Sequence, residues 1–131
     1  MFFQCGLGHL IGLDVHDMEN FGEEYIGYTV DLKKSDEFGL KSLRLGKALQ
    51  EGYTVTIEPG LYLIPELMDK KKAEGLHRDF INYDLLEKFR DFGGIRLEDN
   101  FVIRKDGAEL LGTPLARTSS EIEEIRYEAL S

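Results

Sequence analysis

The stretch GLGHLIGLDVHD, residues 6–17, carries two of the three histidines of a 131-residue chain, together with three glycines and two aspartates. Gly6 and Gly8 let backbone or a ligand approach where a side chain would forbid it. His9 follows directly, and His16 comes seven residues later. The pair fits no general zinc motif, being neither H-E-x-x-H nor paired cysteines. A metal site built on His9 therefore needs oxygen ligands from elsewhere in the chain.

Two segments offer them. In YTVTIEPGLYLIP (53–65), Val55 and Ile57 fall on one face of a strand, and Thr54, Thr56 and Glu58 on the other. Pro59-Gly60 interrupts the alternation and LYLI resumes it. GIRLEDNFVI (94–103) reads as a single strand, with Ile95 and Leu97 on one face and Arg96, Glu98 and Asn100 on the opposite one. A lone glutamate on the open face of a sheet is ordinarily a solvated carboxylate. Here Glu58 directly precedes Pro-Gly and an apolar run. Glu98 shares its face with Arg96, amid Ile95, Leu97, Phe101 and Ile103. Carboxylates near a sheet interior need a metal, an arginine or both to offset their desolvation.

The rest of the chain supplies context. DLKKSDEFGLKS (31–42) reads as a polar loop, and LRLGKALQEG as a short helix or a strand ending at Glu51-Gly52. RDFINYDLLEKFRDF (78–92) has helical spacing, with Ile81, Leu85, Phe89 and Phe92 in one apolar stripe and Gly93-Gly94 as its stop. His77, at the start of that helix, reads as structural. Lys105-Asp106-Gly107 is a turn. SSEIEEIRYEALS closes the chain as a helix, with Ser120 and Glu123 as its capping box and Ile122, Ile125 and Ala129 along one side. Strands with helices between and after them make an α+β chain.

The bulk composition narrows the partners. At 42% hydrophobic residues the chain can build a core. No apolar run approaches the roughly 20 residues of a membrane span. MFFQCGLGHLIGL lacks the basic flank and cleavage site of a signal peptide. A net charge of -9 and a pI of about 4.8 speak against nucleic acid as a partner. Cys5, the only cysteine, allows no internal disulfide, which agrees with a cytoplasmic setting.

GLGHLIGLDVHD, TVTIEPGLYLIP and GGIRLEDNFVI stand in the order and approximate spacing of the proline-specific metallopeptidases, and the closing LLGTPLARTSSEIEEI resembles that family's C-terminal helix. These are the Xaa-Pro aminopeptidases and prolidases, with the pita-bread fold shared with methionine aminopeptidases. The resemblance implies an α+β, curved antiparallel sheet flanked by helices. It implies His9, Glu58 and Glu98 as metal ligands, Glu98 bridging two ions. It implies that His16 contacts substrate or shuttles protons at the scissile amide, and that Arg96 orients the site. The family's histidine four residues before the ligand histidine is Cys5 here. The implied reaction is hydrolysis of the peptide bond before proline, whose rigid ring and missing N–H suit general peptidases poorly. Two divalent ions about 3.5–4 Å apart would activate a water and polarise the carbonyl. The family commonly uses Mn2+, sometimes Co2+ or Zn2+.

The same resemblance implies a gap. Two aspartate ligands on a preceding hairpin belong to the family's site, and Asp14, Asp17, Asp31 and Asp36 do not have their character. One imidazole and two carboxylates offer about five donor atoms, whereas two six-coordinate ions need about twice that. Residues 1–131 are thus expected to be the C-terminal portion of a catalytic domain. Alone, the chain is expected to bind metal weakly, to hydrolyse peptides poorly, and to self-associate through unpaired sheet edges, as in a homodimer. The alternative is a non-catalytic pita-bread-like binding module without a dinuclear site.

Overall fold

In the computed structural model, which describes residues 1–131, the β-branched run Thr54–Ile57 forms β1 and Gly60–Tyr62 forms β2. The predicted strand over 94–103 is two strands, Gly94–Arg96 (β3) and Asp99–Arg104 (β4). The chain then turns at Lys105–Asp106 into Gly107–Leu111 (β5). One antiparallel sheet has the order β1-β4-β5, with Val55 opposite Phe101 and Thr56 opposite Asn100. A second pairs β2 with β3, Gly60 opposite Arg96. Both segments therefore change sheets, at Glu58-Pro59 and at Leu97-Glu98. The joins are tied together by the Leu97 amide donating to the Pro59 carbonyl at 3.2 Å.

The free edge of β1 is covered by residues 7–11. The amides of Glu58 and Thr56 donate to the carbonyls of Leu7 and His9 at 2.7 and 2.9 Å, and the Ile11 amide donates to the Thr54 carbonyl at 3.0 Å. The histidine segment thus lies antiparallel along the strand that ends in Glu58.

Helices are short: Glu23–Gly27 (α1), Pro65–Ala73 (α2), Tyr83–Leu86 (α3) and Ser119–Leu130 (α4). Pro65 opens α2 at a position where its missing N–H costs nothing. The helix predicted over 78–92 is replaced by turns and by α3 with the 3-10 turn Glu87–Phe89. The left-handed backbone of Gly75 and His77 turns the chain, and Asn82 caps a new start by accepting from the Leu85 amide at 3.0 Å. His77 therefore sits in a turn and not at a helix start. Residues 43–50 are neither helix nor strand, and 31–42 is loop apart from the 3-10 turn Leu40–Ser42.

The capping box of α4 is Thr118 with Glu121, two residues earlier than the predicted Ser120 and Glu123. The Glu121 carboxylate accepts from the backbone amides of Thr118 and Arg117 and from the Thr118 hydroxyl, which hold its pKa down to about 2. A carboxylate with a depressed folded pKa contributes stability that is fully present above its ordinary value near 4.5 and is lost as pH falls toward 2. Circular dichroism at 222 nm is expected to show α4 fraying across that window. In Glu121→Ala the helix is already frayed at neutral pH and loses this acid-dependent step.

Only nine residues are buried, among them Val55, Val102, Leu63, Met68 and Tyr28. The chain exposes 9805 Å², against about 7,000 Å² for a folded monomer of 15.0 kDa. Half-exposed Leu85, Phe89 and Phe92 and the uncovered apolar side of α4 account for part of the excess.

Candidate metal centre

The alignment of residues 7–11 on β1 sets His9 beside Glu58. Both are nearly buried, at 3% and 7% exposure, and His9 Nε2 lies 3.2 Å from Glu58 Oε1. His9 Nδ1 is 2.8 Å from the Leu10 carbonyl, which only accepts, so Nδ1 carries a proton. In the neutral ring that leaves the Nε2 lone pair facing a carboxylate oxygen. Two acceptors held at that distance are satisfied by a shared proton or by a cation. Two neighbouring ligands at about 2.1 Å from one ion stand roughly 3.0–3.4 Å apart, so the spacing fits a divalent metal. Across β1, facing Thr56, Asn100 keeps a buried side-chain oxygen with no hydrogen-bond partner, a second sign of a site that expects further groups.

Glu58 is held on its other side by Arg96, whose Nη1 donates to Oε2 at 2.5 Å. Arg96 Nε donates to the Tyr62 hydroxyl at 2.7 Å, and its Nη2 is 4.0 Å from Cys5 Sγ. The hydrogen bond to Tyr62, together with the charge of Glu58, raises the guanidinium pKa further, so Arg96 is a permanent cation here. His16 is exposed, with its ring edge-on to His9 at 4.4 Å between centroids and Nδ1 3.9 Å from Glu19 Oε2. An open cleft of about 500 Å³ joins His16, Glu58, Arg96 and Cys5 to Lys34, Lys41 and Arg44.

Glu98 is not brought to this pair. It lies in the join between β3 and β4, exposed and without a hydrogen bond or ion pair, and no group of three or more His, Cys, Asp or Glu side chains gathers in metal-binding reach. The expected shared strand face of Arg96 and Glu98 fails because the strand breaks between them. The neighbouring Asp99 turns to Arg117 at 2.5 Å. Thr56, Tyr62 and the cleft cations belong to the site without being expected from the sequence. For Thr56 the signal was present, since it precedes Glu58 by two on the same strand face.

Residues 1–105 match metallopeptidase family M24. The chain belongs to that family. It is 42% identical over 123 residues to the Xaa-Pro dipeptidase of Homo sapiens, a match covering 94% of this chain and 23% of that protein. It is 41% identical over 114 residues to the Xaa-Pro dipeptidase of Stenotrophomonas maltophilia, covering 87% and 25%. Among solved structures it resembles aminopeptidase P from Escherichia coli with the inhibitor Pro-Leu, at a TM-score of 0.57 and 30% identity over 98% of this chain and 21% of that one. Proline aminopeptidase P II from Yersinia pestis gives 0.55 and 28%, over 99% and 21%. The fold is thus that of the aminopeptidase P pita-bread proteins, and the chain spans about a quarter or less of the length of these relatives.

Proposed function

We propose that this chain is the C-terminal portion of a catalytic domain that hydrolyses the peptide bond preceding proline, and that it contributes His9, Glu58 and Glu98 to a site for two divalent ions. The observation that carries this reading is the His9–Glu58 pair, with Nδ1 of the ring committed to Leu10 and Nε2 turned to the carboxylate. Glu98, on the join two residues after Arg96, would join the pair when the remaining ligands, two aspartates in this reading, are supplied from outside residues 1–131. Imidazole with carboxylates is compatible with Mn2+, Co2+ or Zn2+, and Mn2+ is the favoured occupant.

When bound, the ions would supply a nucleophilic water and polarise the scissile carbonyl. The chain's own residues do the rest. Arg96 fixes the carboxylate of Glu58 from behind, and Tyr62 fixes Arg96. His16, exposed at the cleft with its ring edge-on to His9, would donate a proton to the departing proline nitrogen. Of the cations Lys34, Lys41 and Arg44 in the cleft wall, Lys34 and Arg44 are paired with Glu23 and Glu19, so Lys41 is the one left to meet the carboxylate end of a short peptide. In this reading the excess exposed surface is covered by the remainder of the domain or by a second copy of the chain, and the single free cysteine suits a reducing compartment.

The test is hydrolysis of an Xaa-Pro dipeptide by the polypeptide that carries this chain with its missing ligands. Manganese-dependent cleavage is expected, with loss of at least about 1,000-fold in Glu98→Ala. Activity unchanged in that variant removes the reading. The position of Glu98 away from the pair is what favours the second reading, a non-catalytic binding module. That reading predicts no cleavage at any metal concentration.

Arg96→Lys keeps the charge but cannot hold Glu58 and Tyr62 together in one planar fork. Manganese affinity is expected to fall about 10-fold, as for other groups that orient a ligand, measured by calorimetry. Unchanged affinity would show that Arg96 only neutralises charge.

A further inference from the structure

We infer that the Thr56 hydroxyl is the positioning group that sets His9 and Glu58 in register as a ligand pair, an inference that rests on the metal-site reading above. Thr56 is fully buried, at 0% exposure. Its backbone amide donates to the His9 carbonyl at 2.9 Å. In a regular antiparallel ladder the His9 amide would return a bond to the Thr56 carbonyl. Here it donates to Thr56 Oγ1 instead, at 3.0 Å. The hydroxyl therefore stands in for a backbone carbonyl.

That substitution has a directional consequence. A hydroxyl has one proton and two lone pairs. The His9 N–H can only donate, so Oγ1 must accept there, and its single proton is left for Glu58 Oε1, 3.2 Å away. Oε1 is also the oxygen that faces His9 Nε2. One atom thus fixes the histidine backbone and orients the carboxylate oxygen that the ring addresses. The β-branched side chain has a stiff χ1, which transmits the strand geometry to both. Arg96 holds the opposite oxygen, so the carboxylate plane is defined from two sides.

The alternative is that Thr56 merely fills space with its methyl group. Two substitutions separate these roles with opposite signs. Thr56→Val keeps the shape and loses the hydroxyl, whereas Thr56→Ser keeps the hydroxyl and loses the methyl. Binding of Mn2+ to the polypeptide that carries this chain with its missing ligands is followed by the electron paramagnetic resonance signal of the free ion, and folding by far-ultraviolet circular dichroism. Thr56→Val is expected to lose about 10- to 100-fold in Mn2+ affinity, and Thr56→Ser to stay within about threefold of the unaltered chain. If Thr56→Val does not fold, Thr56→Ala takes its place, and the difference between Ala and Ser isolates the hydroxyl. Equal affinity in Val and the unaltered chain overturns the inference, as does Ser binding as weakly as Val or Ala. Failure of that unaltered polypeptide to bind Mn2+ overturns the ligand reading itself and this inference with it, and is seen before any variant is made.

Discussion

Glu58→Gln is expected to leave the chain folded and to remove its manganese binding, while Glu58→Ala is expected to damage both. The carboxylate takes the Thr56 hydroxyl on Oε1 and Arg96 on Oε2, and it faces His9 Nε2. An amide in its place keeps an acceptor oxygen of the same shape, so the neighbours retain most of their bonds. What it loses is the negative charge that holds a divalent ion beside a neutral imidazole. Affinity is expected to fall by more than about 100-fold, beyond the range for groups that only orient ligands. Alanine also strips Arg96 and Thr56 of their acceptor. Breaking a buried ion pair costs about 3–5 kcal/mol, but the Arg96 side chain is 39% exposed and water will solvate it. A loss of about 1–3 kcal/mol is therefore expected for Glu58→Ala, and less than about 1 kcal/mol for Glu58→Gln. Urea denaturation reads the stabilities and free-ion resonance the affinity. A Gln variant that binds Mn2+ as the unaltered chain does would show that Glu58 is a structural partner of Arg96 and nothing more.

Local constraints are legible in this sequence and long-range ones are not. TVTIEPG was legible because alternation ends at Pro-Gly, which puts Glu58 last on the polar face of its strand. The choice of an arginine, a metal or both for Glu58 was also within reach, and Arg96 fills half of it. The break at Leu97-Glu98 left no local signal. No glycine or proline marks it, because the break is imposed by different partners on its two sides, β2 for Gly94–Arg96 and β1 with β5 for Asp99–Arg104. For the same reason Arg96 and Glu98 do not share the face that simple alternation predicts. The 78–92 helix failed for want of a partner: its apolar stripe has the right period, yet Leu85, Phe89 and Phe92 stay about half exposed. An amphipathic stripe stabilises a helix only when something covers it. β5 was missed because GAELL lacks the β-branched residues that mark strands. It forms as the return arm of a two-residue hairpin.

Gly8→Ala is the substitution expected to do the most damage to the fold and to the centre together. The glycine is needed for close approach: a Cβ at this position would lie 1.9 Å from the Thr56 carbonyl oxygen and 3.0 Å from its carbon. Both are backbone atoms of a strand paired on its far side to β4, so neither can move aside. The segment 7–11 must instead lift from β1 by more than 1 Å, a distance that no hydrogen bond of 2.7–3.0 Å survives. Three backbone bonds then fail, those joining Leu7 to Glu58, His9 to Thr56 and Ile11 to Thr54. At about 1 kcal/mol each, with overpacking of about 1–3 kcal/mol, the cost is roughly 4–6 kcal/mol. That is a large part of the 5–15 kcal/mol that stabilises an ordinary domain. The same displacement carries His9 away from Glu58, so manganese binding is expected to vanish even where the chain still folds. Hydrogen exchange at the Thr56 and Glu58 amides reports the detachment directly, and both should lose protection while amides in the β4–β5 hairpin keep theirs. A Gly8→Ala chain with the urea midpoint and the amide protection of the unaltered one would mean that residues 7–11 do not lie on β1, and the pairing of His9 with Glu58 would fall with that placement.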